Sequence, residues 1–185
     1  TDVCTPEFIS RKLLKTWWQR KSLGFNASFR LCYGEGDFLP GLVIDRYKIQ
    51  NGQVFAVQIL TAGMSWILKD LPSFFEAFVK EAQELKMSDY SWEQTAVVIR
   101  NDVGIRKLEG MNVVPPEAIK QIDGVDLSSV EIEINNGVLM ATSLLDGQKT
   151  GFFLDQAYNI SLLCNQLEKM EFQDGIVRIL DLCCY

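Results

Sequence analysis

Two apolar segments, Leu42-Val-Ile-Asp-Arg-Tyr47 and Val54-Phe-Ala-Val-Gln-Ile-Leu60, stand on either side of Asn51-Gly52. Asn-Gly between apolar runs is a strong hairpin signal, because both residues tolerate positive φ. This arrangement commits the chain to a sheet, and other segments must cover that sheet. Ser28-Phe-Arg-Leu-Cys-Tyr33 alternates and predicts a strand ahead of the hairpin, joined to it by the turn-rich stretch from Gly34 to Gly41. Ala96-Val-Val-Ile-Arg100 predicts a further strand, and the spacing between Ser65 and Lys86 predicts one long amphipathic helix bent at Pro72. Near the start, Thr5-Pro6 reads as a cap and first turn, and Phe8, Ile9, Leu13, Leu14 and Trp17 form a helical apolar face over residues 6–21. The expected organisation is a linker helix over 1–24 and a small α+β central domain over 25–110.

Residues 111–127 contain Pro115-Pro116 and Gly124 and read as a linker. Val130–Ile134 and Val138–Thr142 flank Asn135-Asn-Gly137, a second hairpin signal. A polar loop, Asp146-Gly-Gln-Lys-Thr-Gly151, leads into a helix expected over Asp155–Met170. The final stretch, Gly175–Tyr185, is a near-continuous apolar run with one acid, as in a buried strand of a parallel sheet. Residues 128–185 are therefore expected to form a β-hairpin and the first part of an α/β unit, with the chain stopping inside that domain. Ligands of such sheets sit beyond the carboxyl ends of strands, which makes Asp181 a candidate anchor.

The chain has no histidine. A Ser-His-Asp triad, a Cys-His dyad and any His-ligated metal are thereby excluded for this chain alone. Five cysteines, at 4, 32, 164, 183 and 184, form no CxxC pair and read as buried, reduced thiols of a cytosolic protein. The net charge of −6 excludes a uniformly basic nucleic-acid coat. The charge is uneven, however: residues 1–24 carry +3 and the remainder −9. Arg11, Lys12, Lys15 and Arg20 share that basic segment with Trp17 and Trp18. It reads either as a solvated helix face over core tryptophans or as an RNA-facing helix, since phosphates call for Lys/Arg and bases stack on aromatics. No apolar run approaches the ~20 residues that cross a bilayer.

Two further segments have mixed readings. A glycine-preceded helix start exposes backbone N–H groups to a polar ligand, so Leu144–Gln156 is either a binding loop or a polar hairpin before an Asp-capped helix. Its spacing is not that of a Walker loop. Arg100–Gly110 reads as a salt-bridged turn or as a substrate-contacting loop.

Four ordered motifs resemble one family, the S-adenosylmethionine (SAM)-dependent RNA methyltransferases that form 5-methylcytosine in large-subunit ribosomal RNA. Residues 30–47 resemble the family's RLxxGExDGLPGLIVDRY, and residues 100–110 its RSDVxVRxLEG. Residues 145–156 resemble LxxGQKTGFFLDQ, and Leu180-Asp-Leu-Cys-Cys-Tyr185 is similar to the opening of LDLFCYTGGF. The resemblance implies an N-terminal PUA domain, a central α+β domain and a Rossmann-like methyltransferase domain, the last truncated here. It implies SAM as cofactor, with Lys149, Thr150, Phe153, Asp155, Gln156, Asp181, Cys183 and Tyr185 at or beside its site. It also implies a catalytic cysteine beyond Tyr185 and a cytoplasmic protein whose partner is ribosomal RNA, with no membrane association; a homodimer is compatible with it. Three departures stand out: Ala157 follows Asp155-Gln156 where the family has Arg, Ile160 stands where a second Arg is common, and Cys183 replaces Phe. A non-catalytic RNA- or protein-binding module, and a methyltransferase of the same fold with another substrate, are the alternative readings.

Overall fold

The computed structural model describes residues 4–134, 137–170 and 180. The strand expected over Gly175–Tyr185, with Asp181, Cys183 and Tyr185, lies outside them apart from Leu180. Among the described residues seven strands form one mixed sheet: β1 (Phe29–Tyr33), β2 (Leu42–Ile49), β3 (Gly52–Ile59), β4 (Thr95–Ile99), β5 (Glu117–Lys120), β6 (Val130–Glu133) and β7 (Leu139–Thr142). Their order is β5-β4-β3-β2-β6-β7, with β1 also paired to β2. One edge of β2 is shared: β1 pairs with it from Val43 to Arg46, and β6 takes over at Lys48 and Ile49. The β6–β7 hairpin therefore extends the sheet of the preceding strands.

Strands β3 and β4 run parallel, and the crossover between them is helical. The single long helix expected there is two helices, α2 (Ala62–Ile67) and α3 (Leu71–Glu84). The break falls at Asp70, whose side chain accepts from Ser73 N and caps α3, with Pro72 in the first turn. Both features start a helix more readily than they bend one. Residues 117–120, inside the stretch that reads as a linker, form the edge strand β5 against β4.

The expected hairpin is present, but its turn is Gln50-Asn51, and Gly52 pairs with Ile49 in the ladder. Gly52 is needed for a different reason. A Cβ there would lie 2.3 Å from the carbonyl oxygen of Gln94. The residue allows the loop before β4 to approach the hairpin, and Gln53 N donates to that same carbonyl.

Alternation along β3 and β4 divides the core into two layers. Phe55, Val57, Ile59, Val97 and Ile99 face helix α1 (Pro6–Ser22) and α3. Val54, Ala56, Ala96 and Val98 face the other way, against Tyr47, Leu127, Ile132, Leu144 and Leu154. The helical layer is aromatic: Phe55 lies 6.0 Å from Trp17, 5.4 Å from Phe75 and 5.8 Å from Phe78, ring centre to ring centre. Arg46 enters this layer, its guanidinium 5.1 Å from the Trp17 ring and bonded to Gln53 Oε1 and the Ala27 carbonyl. Burial lowers its pKa to about 10, which leaves it charged at neutral pH. Helix α1 thus packs into the core through Ile9, Leu13, Leu14 and Trp17.

The thiols divide differently from the sequence expectation. Cys32 is buried, whereas Cys4 and Cys164 are exposed, and Cys183 and Cys184 lie outside the described residues. Among the described residues no helix is long and apolar enough to cross a membrane.

Two outcomes follow. Phe55→Ala removes the ring shared by three aromatic neighbours and is expected to cost about 3–5 kcal/mol, measured by urea unfolding. Burial raises the Cys32 pKa to about 12 from an ordinary 9.0. A raised folded pKa gives stability that is complete below the unfolded value and lost as pH climbs towards the folded one. The Cys32 contribution is therefore expected to fade between about pH 9 and 12. In the native protein at neutral pH, alkylation mapped by mass spectrometry should mark Cys4 and Cys164 and spare Cys32.

Candidate functional site

Strand β2 places a carboxylate in the interior: Asp45 has no solvent exposure. Its cross-strand partner in β1 is Arg30. Arg30 grips it through two bonds, Nε to Oδ1 at 2.8 Å and Nη2 to Oδ2 at 2.9 Å. That bond to Asp45 raises the Arg30 pKa. The second partner comes from more than a hundred residues away. The hydroxyl of Thr150 donates to Asp45 Oδ2 at 2.5 Å. Thr150 is itself buried.

Tyr47, two positions along β2 and so on the same face, completes the arrangement. Its hydroxyl lies 2.9 Å from Thr150 Oγ1 and accepts from Phe152 N at 3.1 Å. The single proton of Thr150 is given to Asp45, so Tyr47 is the donor to Thr150. Burial pushes the Tyr47 pKa up and keeps that proton in place. The residue that follows β4 contributes a second clamp. Arg100, almost fully buried, donates to the carbonyls of Leu144 at 3.3 Å and Gly147 at 2.9 Å, and pairs with Asp102 at 3.1 Å. Residues 100–110 are a structured turn, with the 3-10 segment Gly104–Glu109 at their centre.

These bonds fix the loop over 144–156 against the sheet, and the loop is tight. Gly151 has φ of 134°, and a Cβ there would lie 2.6 Å from the Leu144 side chain. Lys149 adopts a left-handed φ of 56°. Its Nζ reaches Asp155 Oδ2 at 2.9 Å and lies 4.4 Å from the Phe153 ring centre. The bond from Lys149 holds the Asp155 carboxyl below the usual range. Gln156 is exposed and accepts from Asn159 Nδ2 at the start of α4 (Ala157–Leu167). Between this loop, β1 and the end of α1 lies a groove of about 540 Å³, lined by Phe25, Arg30, Tyr33, Leu154, Asp155 and Tyr158.

The residues expected at the cofactor site therefore divide. Lys149, Phe153 and Asp155 form one cluster, with Gln156 following it. Thr150 points inward to Asp45 and Tyr47. Asp181, Cys183 and Tyr185 lie outside the described residues. Of the basic residues on α1, Arg11 and Lys15 are exposed and Lys12 is half-buried. Arg20 is engaged, with Nη2 at 2.9 Å from both oxygens of Asp37 and Nε bonded to the Arg30 carbonyl. Among the described residues no group of His, Cys, Asp and Glu could hold a metal ion. Sequence reasoning missed Asp45, Tyr47, Arg30 and Arg100 as the loop's anchors. The available signal was polar residues inside otherwise apolar strands, which must be satisfied once buried.

No protein-family model matches the chain. A protein of Methanocaldococcus jannaschii, provisionally named a ribosomal RNA large subunit methyltransferase, is 32% identical over 178 residues, 96% of this chain and 38% of that protein. Ribosomal RNA large subunit methyltransferase I of Cronobacter sakazakii is 31% identical over 153 residues, covering 80% of this chain and 33% of its own length. The protein of the same name from Aeromonas hydrophila is 36% identical over 132 residues, covering 71% and 28%. The chain is homologous to a segment of these methyltransferases. It spans 38% and 33% of the first two relatives. In fold it is similar to a provisionally named SAM-dependent methyltransferase of Streptococcus mutans, with a TM-score of 0.56, 17% identity, and 89% of this chain and 37% of that one covered. The structure of a provisionally named methyltransferase in complex with SAH gives a TM-score of 0.55, 17% identity and the same coverage. These two show a shared fold: a mixed sheet carrying helices.

Thr150→Val keeps shape and removes the hydroxyl, leaving Tyr47 only the longer bond to the Phe152 carbonyl at 3.5 Å and Asp45 one donor short. A cost of about 1–3 kcal/mol is expected. Amide hydrogen exchange across 145–156 should accelerate more than exchange in β3. Equal acceleration throughout would show that the loop is held by something other than this bond.

Proposed function

We propose that this chain is part of a SAM-dependent methyltransferase acting on large-subunit ribosomal RNA. The supporting observation is the meeting of three motifs in space. The strand carrying Asp45 and Tyr47, the turn opened by Arg100, and the loop carrying Thr150 are joined by direct bonds. These are the segments through which the chain resembles the family, and relatives named for that activity align across most of its length.

In this reading Lys149, Phe153, Asp155 and Gln156 border the SAM site, and Thr150 holds them from behind. Asp181, Cys183 and Tyr185, which lie outside the described residues, are taken as further cofactor contacts on the resemblance alone. SAM brings a sulfonium, an ammonium and a purine; in the loop the Asp155 carboxylate and the Phe153 ring already hold one cation, the Lys149 ammonium, which the ligand would have to displace or stand beside. The finer assignment is C5 of a cytosine in 23S ribosomal RNA as acceptor. A cysteine beyond Tyr185 would add to C6; C5 would then take the methyl group from the sulfonium as S-adenosylhomocysteine leaves, and loss of the C5 proton would break the C6–S bond and free the cysteine. Cys4, Cys32, Cys164, Cys183 and Cys184 have no part in it. Arg11, Lys12 and Lys15 are available to RNA phosphates, Arg20 supports the turn through Asp37, and the protein works in the cytoplasm, where ribosomes are assembled; sedimentation of the full-length protein tests for a homodimer.

The full-length protein should transfer a labelled methyl group from SAM to large-subunit ribosomal RNA. Nucleoside digestion and mass spectrometry should then show 5-methylcytosine. Label in another nucleoside would keep the enzyme and remove the cytosine assignment. Absence of SAM binding in calorimetry at millimolar ligand would sink the proposal, leaving a non-catalytic binding module.

A further inference from the structure

Phe38 closes the 3-10 turn Gly34–Asp37 in the left-handed region, with φ of 59°. A residue with a Cβ is disfavoured there, and a bulky one more so. The motif that residues 30–47 resemble has Gly at this position. Burial gives nothing back, because the Phe38 side chain is 77% exposed. Neither backbone geometry nor the core accounts for the ring.

Its surroundings do. Lys12 Nζ lies 5.5 Å from the Phe38 ring centre. A groove of about 480 Å³ runs between α1 and the turn, lined by Lys12, Lys15, Thr16, Gln19, Asp37 and Phe38. The acid in that lining is already neutralised: Asp37 is held by Arg20 at 2.9 Å and accepts from Tyr33 N at 2.7 Å. Lys15 is exposed, and Trp18, 64% exposed, follows it by three residues on the same side of α1. The groove thus combines one open ring face, two ammonium groups and a polar floor. An apolar protein surface would find little to bury here. A base stacks on an aromatic face whatever its identity, while lysines hold the phosphate beside it.

We infer that Phe38, with Lys12 and Lys15, is a stacking platform for an unpaired nucleotide of RNA: the base lies on the ring and the phosphate between the two lysines. Bases inside a duplex are unavailable to it, so the partner is single-stranded. The inference rests on the reading that the whole protein acts on RNA, and it adds a place where the strand is held outside the methyl-transfer site.

The test uses the full-length protein and a fluorescein-labelled oligo(A) of about 12 nucleotides, read by anisotropy. Phe38→Gly and Phe38→Leu should each weaken binding by about 5- to 100-fold, while Phe38→Trp retains it. Phe38→Gly removes the strained side chain, so its melting temperature should not fall. Lys12→Gln and Lys15→Gln should each flatten the salt dependence by about 0.7 in log–log slope. Wild-type affinity in Phe38→Leu overturns the inference, because leucine keeps the apolar bulk and loses the π face. Equal losses on a duplex of the same length overturn it too, since they show charge without stacking. SAM binding and methyl transfer are assayed in parallel. An inactive protein that still needs Phe38 for oligo(A) refutes the enzyme alone; an active one indifferent to Phe38 refutes the platform alone.

Discussion

A carboxylate removed from water must have its oxygens paired, because a buried polar group without partners is costly. Asp45 meets that demand with the two-point grip of Arg30 and the hydroxyl of Thr150. Most of the arrangement around the 145–156 loop depends on it. Arg30 binds β1 to β2 at that point, and Thr150 draws in a loop distant in sequence. Tyr47 then spends its own proton on Thr150 and receives Phe152 N. Loss of one partner leaves the others short, so the three segments are constrained as a unit. Arg100 works in the same sense from β4, spending a buried guanidinium on two loop carbonyls. The outcome is a polar loop whose inner side chain is immobilised, while Lys149, Phe153 and Asp155 stand at its rim.

Helix α1 shows the complementary economy. Trp17 sits among Phe29, Phe55 and Phe78, and Arg46 stacks on it from the sheet. The opposite side carries Lys15 and Trp18 to solvent. One helix therefore closes an aromatic core and presents a basic surface. The sequence reading posed these as rivals, a helix face over core tryptophans or an RNA-facing helix. The two tryptophans are adjacent, and on a helix adjacent residues point about 100° apart, so one is buried and the other is not.

Strands were legible where their own residues required burial. β2, β3 and β4 are mostly apolar and buried along nearly their whole length, and their positions follow from composition and period. β5 was not legible. Glu117-Ala-Ile-Lys120 has little apolar content and becomes a strand by adding to the free edge of β4, through backbone bonds that any sequence can make. The Gly52 signal was read for the right hairpin and the wrong cause, since the glycine answers to Gln94, forty residues on. Asp70 and Pro72 carried enough information to start a new helix, yet an amphipathic period running across them suggested continuity.

By itself, the sequence determined that a sheet forms around the 42–60 hairpin, that these 185 residues contribute no histidine to any chemistry, and that its four motifs resemble those of RNA-methylating enzymes. Each is a property of residues close together or of simple counts. Tertiary structure alone decided that three of those motifs touch, and which of their polar residues face inward. Thr150 reads locally like its neighbour Lys149, two polar residues in a polar loop. Only the approach of a buried carboxylate from β2 makes one an anchor and leaves the other at the rim. That distinction is an energy of burial between distant segments, and no local pattern carries it.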